Sequence, residues 1–493
     1  MTRRRPTILA AIRDAKLFAP WFRDRETWQA WFAFVTALFC LPMTSEQLAI
    51  YRARTGRTEP SSSPHSEAWL VCGRRAGKSF ILALIAVFLA CFRDYQPFLQ
   101  KGERATVLII ACDRRQARVI FRYVRGLLTS VPMLAAMIQR ETAESFDLAN
   151  GITIEVATAS YRTTRGYTIA AALCDEIAFW PSDEAAEPDY EVLDALRPGM
   201  ATLPDAMLLC ASSPYARRGA LWDAWRRHYG KNGDPILVWQ APTRAMNPTV
   251  PQSLIDDAME RDPSSAAAEW MAEFRSDVEA LLTREVVEAA VQPGRYELPP
   301  VKTHYVGFVD PSGGSADSMT MSIAHREGDK GILDCLREVR PPFSPDAVVA
   351  EFAALLKSYR LNRVTGDRYG GGWPAERFKV HSITYEPSEK TKSVIYGEAL
   401  PLLNSGRVEL LDHPRLAAQL IGLERRTARS GRDSIDHAPG GHDDVANVAA
   451  GALVLAAGQL SKAESWARWA KVDLSRLDLD IQYAQQRQRA GML

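Results

Sequence analysis

Disulfide chemistry, a membrane span and a surplus of charge are all missing from this chain of 493 residues. Its 7 cysteines are an odd, scattered set with no C-x-x-C pair, which excludes a disulfide framework and a zinc ribbon. Cys72, Cys112, Cys174 and Cys210 each sit in or at the end of an apolar run, where cysteine serves as a small buried hydrophobe. The longest apolar runs, Trp31 to Cys40 and Phe80 to Phe92, fall short of the roughly 18–20 residues needed to cross a bilayer. The basic start Met1-Thr-Arg-Arg-Arg is not followed by an apolar stretch with a small-residue cleavage site, so a soluble protein in a reducing interior is expected. The 60 Lys and Arg residues balance 59 Asp and Glu to a net charge of +1, which excludes coating of nucleic acid or an anionic membrane by bulk electrostatics. It leaves room for a local basic groove. Internal repeats and low-complexity tracts are also absent.

What is present is globular: 47% hydrophobic and 24% charged residues, in a length that predicts about two to four domains. From about Glu67 to Gln240, short apolar strands alternate with helical stretches. Ala68–Cys72, Thr106–Cys112, Ile152–Ala157, Ala170–Cys174, Ala206–Ala211 and Ile236–Trp239 read as strands of a parallel sheet flanked by helices, with ligand chemistry at their carboxyl ends. A helical connector from about Pro251 to Ala290 follows, and then the turn-forming stretch Gln292-Pro-Gly-Arg-Tyr-Glu-Leu-Pro-Pro300. Beyond it, Tyr305–Asp310, Met319–His325 and Ile332–Val339 read as an antiparallel meander. A helix at Asp346–Tyr359, a strand ending in Asp367, a short helix and a strand at His381–Tyr385 complete a mixed α/β unit. The expected organisation is an α/β domain at 1–290 with an N-terminal helical extension, a linker at 291–303, a mixed α/β domain at 304–460 and a helical tail at 461–493.

The segment Trp69-Leu-Val-Cys-Gly-Arg-Arg-Ala-Gly-Lys-Ser79 runs straight into an apolar helix. A strand, a glycine-bearing loop, Lys-Ser and a helix N-terminus make a nest of backbone N–H groups suited to a triphosphate. Gly73, Arg74, Arg75, Ala76 and Gly77 form the loop, Lys78 is placed for the β- and γ-phosphates, and Ser79 for a Mg²⁺ ion. The usual pattern has glycine where Cys72 stands; here it has moved to Gly73. Either Arg74 or Arg75 is a candidate to stabilise charge on the γ-phosphate, against a solvent-facing or acid-paired reading. A second buried strand ends in Asp175-Glu176, with Asp175 placed for Mg²⁺ and Glu176 for polarising the attacking water. Gln47, in Leu41-Pro-Met-Thr-Ser-Glu-Gln47, is a candidate adenine contact. A third strand ends in Cys210-Ala-Ser-Ser-Pro214, whose hydroxyls are placed to report hydrolysis.

Three acidic positions stand out further on: Asp310 at a strand end, Asp367 at another, and Asp443-Asp444 opening an apolar helix. Carboxylates converging from such places can hold two divalent cations, Mg²⁺ or Mn²⁺, about 3.5–4 Å apart for phosphodiester cleavage. The order of elements matches a ribonuclease H-like nuclease. Lys390 and Lys392 read as a solvated charged turn, with the DNA backbone as the alternative contact.

Taken together, Gly73-Arg-Arg-Ala-Gly-Lys-Ser79, Arg165-Gly-Tyr, Cys174-Asp-Glu-Ile-Ala-Phe-Trp180, Ser212-Ser-Pro with Arg218-Gly-Ala-Leu-Trp222, Ala272-Glu-Phe-Arg-Ser-Asp277 and His442-Asp-Asp444 resemble the large terminase subunit of tailed bacteriophages. The resemblance spans roughly Leu41 to Leu455. It implies a P-loop ATPase that drives double-stranded DNA into a procapsid, joined to a ribonuclease H-like endonuclease that cuts concatemeric DNA. It assigns phosphate binding to Gly73, Gly77, Lys78 and Ser79, magnesium and hydrolysis to Asp175 and Glu176, and coupling to Ala211, Ser212 and Ser213. The nuclease metal ligands become Asp310, Asp367 and Asp443, with Asp444 adjacent and the inner ligand of that pair left open. Asn447 stands where many relatives carry a further Asp. The implied cofactors are ATP with Mg²⁺ and two divalent cations at the nuclease. The implied partners are DNA, a portal protein, a small terminase subunit and further copies in a ring, with a monomer possible in free solution and no membrane. The implied location is the host cytoplasm, docked transiently on the procapsid and not in the mature virion. Competing readings are a helicase or recombination ATPase fused to a resolvase-type nuclease, and a non-enzymatic capsid adaptor.

Overall fold

The computed structural model describes residues 6–159, 166–180, 188–315, 317–367, 372–427, 433–438 and 441–458. Arg165 and the tail at 461–493 lie outside the described residues. The chain divides into two compact units. One is Met1–Glu279 with Arg426–Arg432 and Pro439–Gly441; the other is Ala280–Arg425 with Asp433–Ala438 and His442–Leu493.

The first unit is built on an eight-stranded sheet, in the spatial order Ile138–Glu141, Ser145–Leu148, Ile152–Thr158, Ala105–Ala111, Thr168–Asp175, Met207–Ser212, Glu67–Cys72 and Ile236–Ala241. The six strands from Ile152–Thr158 onward are parallel. Both faces of these strands are apolar, as a sheet covered by helices on both sides requires. Ala68, Leu70 and Cys72 pack into one core with the helices Gln29–Leu38 and Lys78–Phe92. Trp69 and Val71 point the other way, toward Leu196 and Leu221 of the helices Pro188–Met200 and Gly219–His228. Two antiparallel strands, Ile138–Glu141 and Ser145–Leu148, extend the edge beyond the sequence expectation. Ile138-Gln-Arg-Glu141 is mostly exposed, so it lacks the apolar run that marks the central strands. The expected connector is two helices, Gln252–Arg261 and Pro263–Met271, because Asp262 ends one and caps the next by accepting from the Ser265 N–H; the strand Val278–Ala280 and the helix Arg284–Ala290 follow.

The second unit carries a six-stranded sheet ordered Thr384–Pro387, Arg363–Gly366, Tyr305–Asp310, Met319–Glu327, Lys330–Val339 and Val408–Glu409. Tyr305–Asp310, Met319–Glu327 and Lys330–Val339 form the antiparallel meander, and Tyr305–Asp310 runs parallel to Arg363–Gly366, the arrangement of a ribonuclease H-like fold. The helix Asp444–Gly458, almost wholly buried, covers one face through Val445, Val448 and Leu453 against Phe308 and Leu333. The helix Pro345–Ser358 covers the other through Val349 and Phe352 against Val309 and Met321. The stretch 291–303 belongs to this unit, where the Leu298 N–H donates to the Asp334 carbonyl at 2.8 Å. The last expected strand starts later, at Thr384, because His381 closes the helix Trp373–Val380 and Ser382 turns the chain at φ 56°.

Candidate functional site

Parallel register brings the carboxyl ends of Glu67–Cys72, Thr168–Asp175 and Met207–Ser212 to one edge of the first sheet. Cys72 is the buried end of its strand, and the loop leaves through Gly73. A Cβ on Gly73 would stand 2.8 Å from both the Thr243 nitrogen and the Trp270 carbonyl oxygen, which explains the glycine at this position. Gly77, at φ 103°, then opens the helix Lys78–Phe92. Three loop carbonyls are tied to neighbouring side chains: Thr243 Oγ1 donates to Arg74 O at 2.7 Å, Asn247 Nδ2 to Arg75 O at 2.9 Å, and Trp31 Nε1 to Ala76 O at 2.8 Å. Holding the carbonyls this way leaves the N–H groups of the helix start to an anion.

Lys78 is 4% exposed, and its Nζ donates to Cys72 O, Gly73 O and Ser213 Oγ and sits 3.3 Å from Glu176 Oε1. Ser79 Oγ donates to Asp175 Oδ2 at 2.9 Å, and Gln116 Nε2 donates to the same oxygen at 3.3 Å. The other Asp175 oxygen, Oδ1, is buried with no hydrogen-bond partner. Burial, and next the Glu176 carboxylate, push the Asp175 pKa up to about 6. A buried carboxylate with one orphaned oxygen beside a serine hydroxyl fits a divalent cation. Glu176 is held at φ 50°, a strained backbone for a non-glycine residue, while its Oε2 accepts from Ser212 Oγ and the Ser213 N–H. Asp175 pairs in register with Ala211. Ala211, Ser212 and Ser213 therefore adjoin Asp175 and Glu176 directly. A cavity of about 960 Å³ opens over this machinery, lined by Arg74 through Phe80, Cys112, Gln116, Glu176 and Ser213, and walled by Trp21, Trp28 and Tyr123.

In the second unit, Val309 faces Gly366 across parallel strands, so Asp310 and Asp367 emerge side by side. Asn447, in the first turn of Asp444–Gly458, bridges them: its Nδ2 donates to Asp310 Oδ2 at 2.8 Å and to Asp367 Oδ2 at 2.7 Å. Burial and the Asp367 charge raise the Asp310 pKa to about 7, and burial raises Asp367 as well. Asp443 is buried; its Oδ2 accepts from Tyr396 Oη at 2.9 Å and lies 2.9 Å from Lys392 Nζ, which also reaches Asp436 at 3.0 Å. Asp444 Oδ2 and Asn447 Oδ1 are buried without hydrogen-bond partners. Like charges gathered out of water beside orphaned oxygens fit a hard divalent cation.

Residues 70–188 match the family model described as terminase large subunit, T4likevirus-type, N-terminal. This segment is similar to the N-terminal part of terminase large subunits. Among solved structures, the large terminase of bacteriophage HK97 is similar at 15% identity and a TM-score of 0.40, over 92% of this chain and 99% of that one. The large terminase ATPase domain of a Thermus phage is similar at 19% identity and a TM-score of 0.35, over 49% and 97%. The large terminase nuclease of thermophilic phage G20c with bound magnesium is similar at 20% identity and a TM-score of 0.29, over 37% and 100%. No curated protein sequence matches the chain.

The matched segment holds the phosphate loop, Asp175 and Glu176 together. It also separates the two loop arginines: Arg74 pairs with Glu269 at 3.2 Å, whereas Arg75 lines the cavity with no ion pair among the described residues. Gln47 is elsewhere. Its Oε1 accepts from the Thr44 N–H and its Nε2 donates to Thr36 Oγ1, closing the capping box of the helix Ser45–Thr55. Gln47→Ala is therefore expected to cost about 1 kcal/mol of stability and to leave ATP affinity within about twofold. Denaturant melts and nucleotide titration check this, and a tenfold loss of affinity would return the residue to the nucleotide site. Cys112 is only partly buried and faces the cavity, unlike Cys72, Cys174 and Cys210. Lys390 pairs with Glu398 on the surface as a charged turn does, but Lys392 reaches inward to Asp443. Gln116 and the aromatic wall belong to none of the motifs. Gln116 nevertheless has a positional signal, since it lies one turn beyond the carboxyl end of the central strand Ala105–Ala111, where ligands of such sheets gather.

Proposed function

We propose that this protein is a DNA-packaging motor of the terminase type: an ATPase that translocates double-stranded DNA, joined to a divalent-cation-dependent endonuclease. The observation that supports it most is the closed chain of contacts from Ser79 through Asp175 to Glu176, Lys78, Ser212 and Ser213. Ser79 and Asp175 would hold the Mg²⁺ of the nucleotide, which neutralises phosphate charge. Lys78 Nζ lies 3.3 Å from Glu176 Oε1, so a γ-phosphate bound by Lys78 would compete for that ammonium and leave Glu176 to accept a proton from the attacking water. Ser212 and Ser213 then sense the change, since both donate to the same Glu176 oxygen. In the second unit, Asp310, Asp367, Asp443 and Asp444 supply the carboxylates for phosphodiester hydrolysis. The proposed partners are DNA, a portal protein, a small subunit and further copies of the chain, in the host cytoplasm.

DNA-stimulated ATP turnover and plasmid cleavage, measured on one preparation with and without divalent metal, test the reading. Both activities are expected, each abolished by chelation. Strand displacement without packaging would favour a helicase, and the absence of ATP turnover would favour an adaptor.

A further inference from the structure

The nuclease acids fall into two groups that differ in what already balances their charge. Among the described residues, no cationic side chain forms an ion pair with Asp310, Asp367 or Asp444. Asp310 and Asp367 share the Asn447 amide, Lys392 acts on Asp367 only at longer range, and Asp444 Oδ2 and Asn447 Oδ1 are orphaned oxygens. Asp443 is the opposite case. Both of its carboxylate oxygens face Lys392 Nζ, at 3.2 and 2.9 Å, and Tyr396 Oη donates to it as well. Lys392 is fixed there from two sides, because Asp436 holds the same ammonium at 3.0 Å and Thr391 starts its helix, Lys392–Asn404. One side chain each from Asp436, His437 and Asp443 offers a ligand atom within 4.8 Å of the others, a set that could hold a metal ion, and the Lys392 ammonium sits against two of the three.

We infer that Lys392 is a resident cation in the place of a second metal ion. The site then takes one divalent ion, held by Asp310 and Asp367, which Asn447 brings side by side, and a second site at Asp436, His437 and Asp443 opens only when Lys392 is lost. This departs from the two-ion expectation drawn from the acids alone, and it rests on the nuclease reading above. The physical reason is that an ammonium about 3 Å from a carboxylate satisfies the charge that would otherwise recruit a cation, and repels a dication brought to the same oxygens. Its fixed length and its own three protons also leave no room for a metal's ligand shell at that carboxylate.

Mn²⁺ binding to the full chain, counted by calorimetry and by loss of the free-ion electron paramagnetic resonance signal, tests the inference. The count is made in an Asp175→Asn background that removes the phosphate-loop ion. One Mn²⁺ that disappears on further Asp310→Asn substitution is expected, rising to two in Lys392→Met and returning to one in Lys392→Arg. Cleavage should follow the first power of Mn²⁺ concentration with Lys392 present and the second power in Lys392→Met, with at least a tenfold loss at low Mn²⁺ recovered at high Mn²⁺. Two ions with Lys392 intact overturn the inference whatever the variants do, so a variant that fails to fold does not decide the matter. One ion in a folded Lys392→Met protein also overturns it. Absence of any Asp310-dependent ion would instead remove the nuclease reading itself.

Discussion

Glu176→Gln is expected to stop ATP turnover while leaving ATP binding intact, and Lys78→Ala to remove both. The difference follows from what each side chain touches. Lys78 is buried at the base of the loop, holding Cys72 O and Gly73 O, and is the cation placed to meet the phosphates. Its loss takes away the charge that binds nucleotide and leaves Glu176 without its 3.3 Å partner. Glu176→Gln keeps the hydrogen bonds that the Ser212 hydroxyl and Ser213 N–H donate, since an amide oxygen accepts as a carboxylate does. It loses only the proton acceptor. Removing a general base or a preorganised charge of this kind typically costs about 10²–10⁴ in rate. We therefore expect DNA-stimulated turnover to fall at least about 10²-fold in both variants, with an ATP dissociation constant within about threefold of the parent for Glu176→Gln and more than tenfold weaker for Lys78→Ala. Plasmid cleavage by the second unit should continue in both. Turnover retained by either variant would move the hydrolytic site elsewhere.

The parts of this arrangement that the sequence made legible are those where one physical cause dominates. Central parallel strands are apolar on both faces, so Ala105–Ala111 and Thr168–Asp175 announce themselves as continuous buried runs. The phosphate loop is local, with its spacing set by a single turn. The edge strands Ile138–Glu141 and Ser145–Leu148 have solvent on one side and no such run. Gln47 shows a different failure. A polar residue three positions after Thr44 serves a capping box as readily as a ligand, and only the position of Thr36 decides which. Lys392 opens one helix and Asp443 precedes another, 51 residues apart, and no periodicity relates them. The same holds for Asn447. In the sequence it reads as a missing carboxylate, yet in the fold its amide clamps Asp310 and Asp367 across 137 and 80 residues.

Asp310→Asn is expected to abolish cleavage and, in the absence of metal, to make the protein more stable. Both effects have one origin. Burial and the neighbouring Asp367 raise the Asp310 pKa from 3.8 to about 7, so ionising this carboxyl in the folded state is unfavourable. The sign follows from linkage: a carboxyl whose folded pKa is raised contributes no penalty below the unfolded value near 3.8, and stability is lost as pH rises through about 7. Above that pH the cost reaches about 4 kcal/mol as an upper bound. An asparagine at 310 keeps an oxygen for the Asn447 amide, removes the charge, and so removes the penalty. In chelator, the melting temperature of Asp310→Asn should match the parent at pH 4 and exceed it by on the order of 5 °C at pH 8. With both proteins in the Asp175→Asn background, saturating Mn²⁺ should reverse the order, because the Asp310 form gains the ion's binding energy and the Asp310→Asn form does not. Cleavage should fall by about 10³-fold or more with ATP turnover unchanged. A variant less stable than the parent in chelator at pH 8 would show that Asp310 is a structural hydrogen-bond acceptor, and a variant that still gains from Mn²⁺ would place the ion away from Asp310. The burial of the Asp310 charge, with the repulsion from Asp367 added to it, is thus what both destabilises the metal-free fold and draws the cation in, and removing the charge removes both.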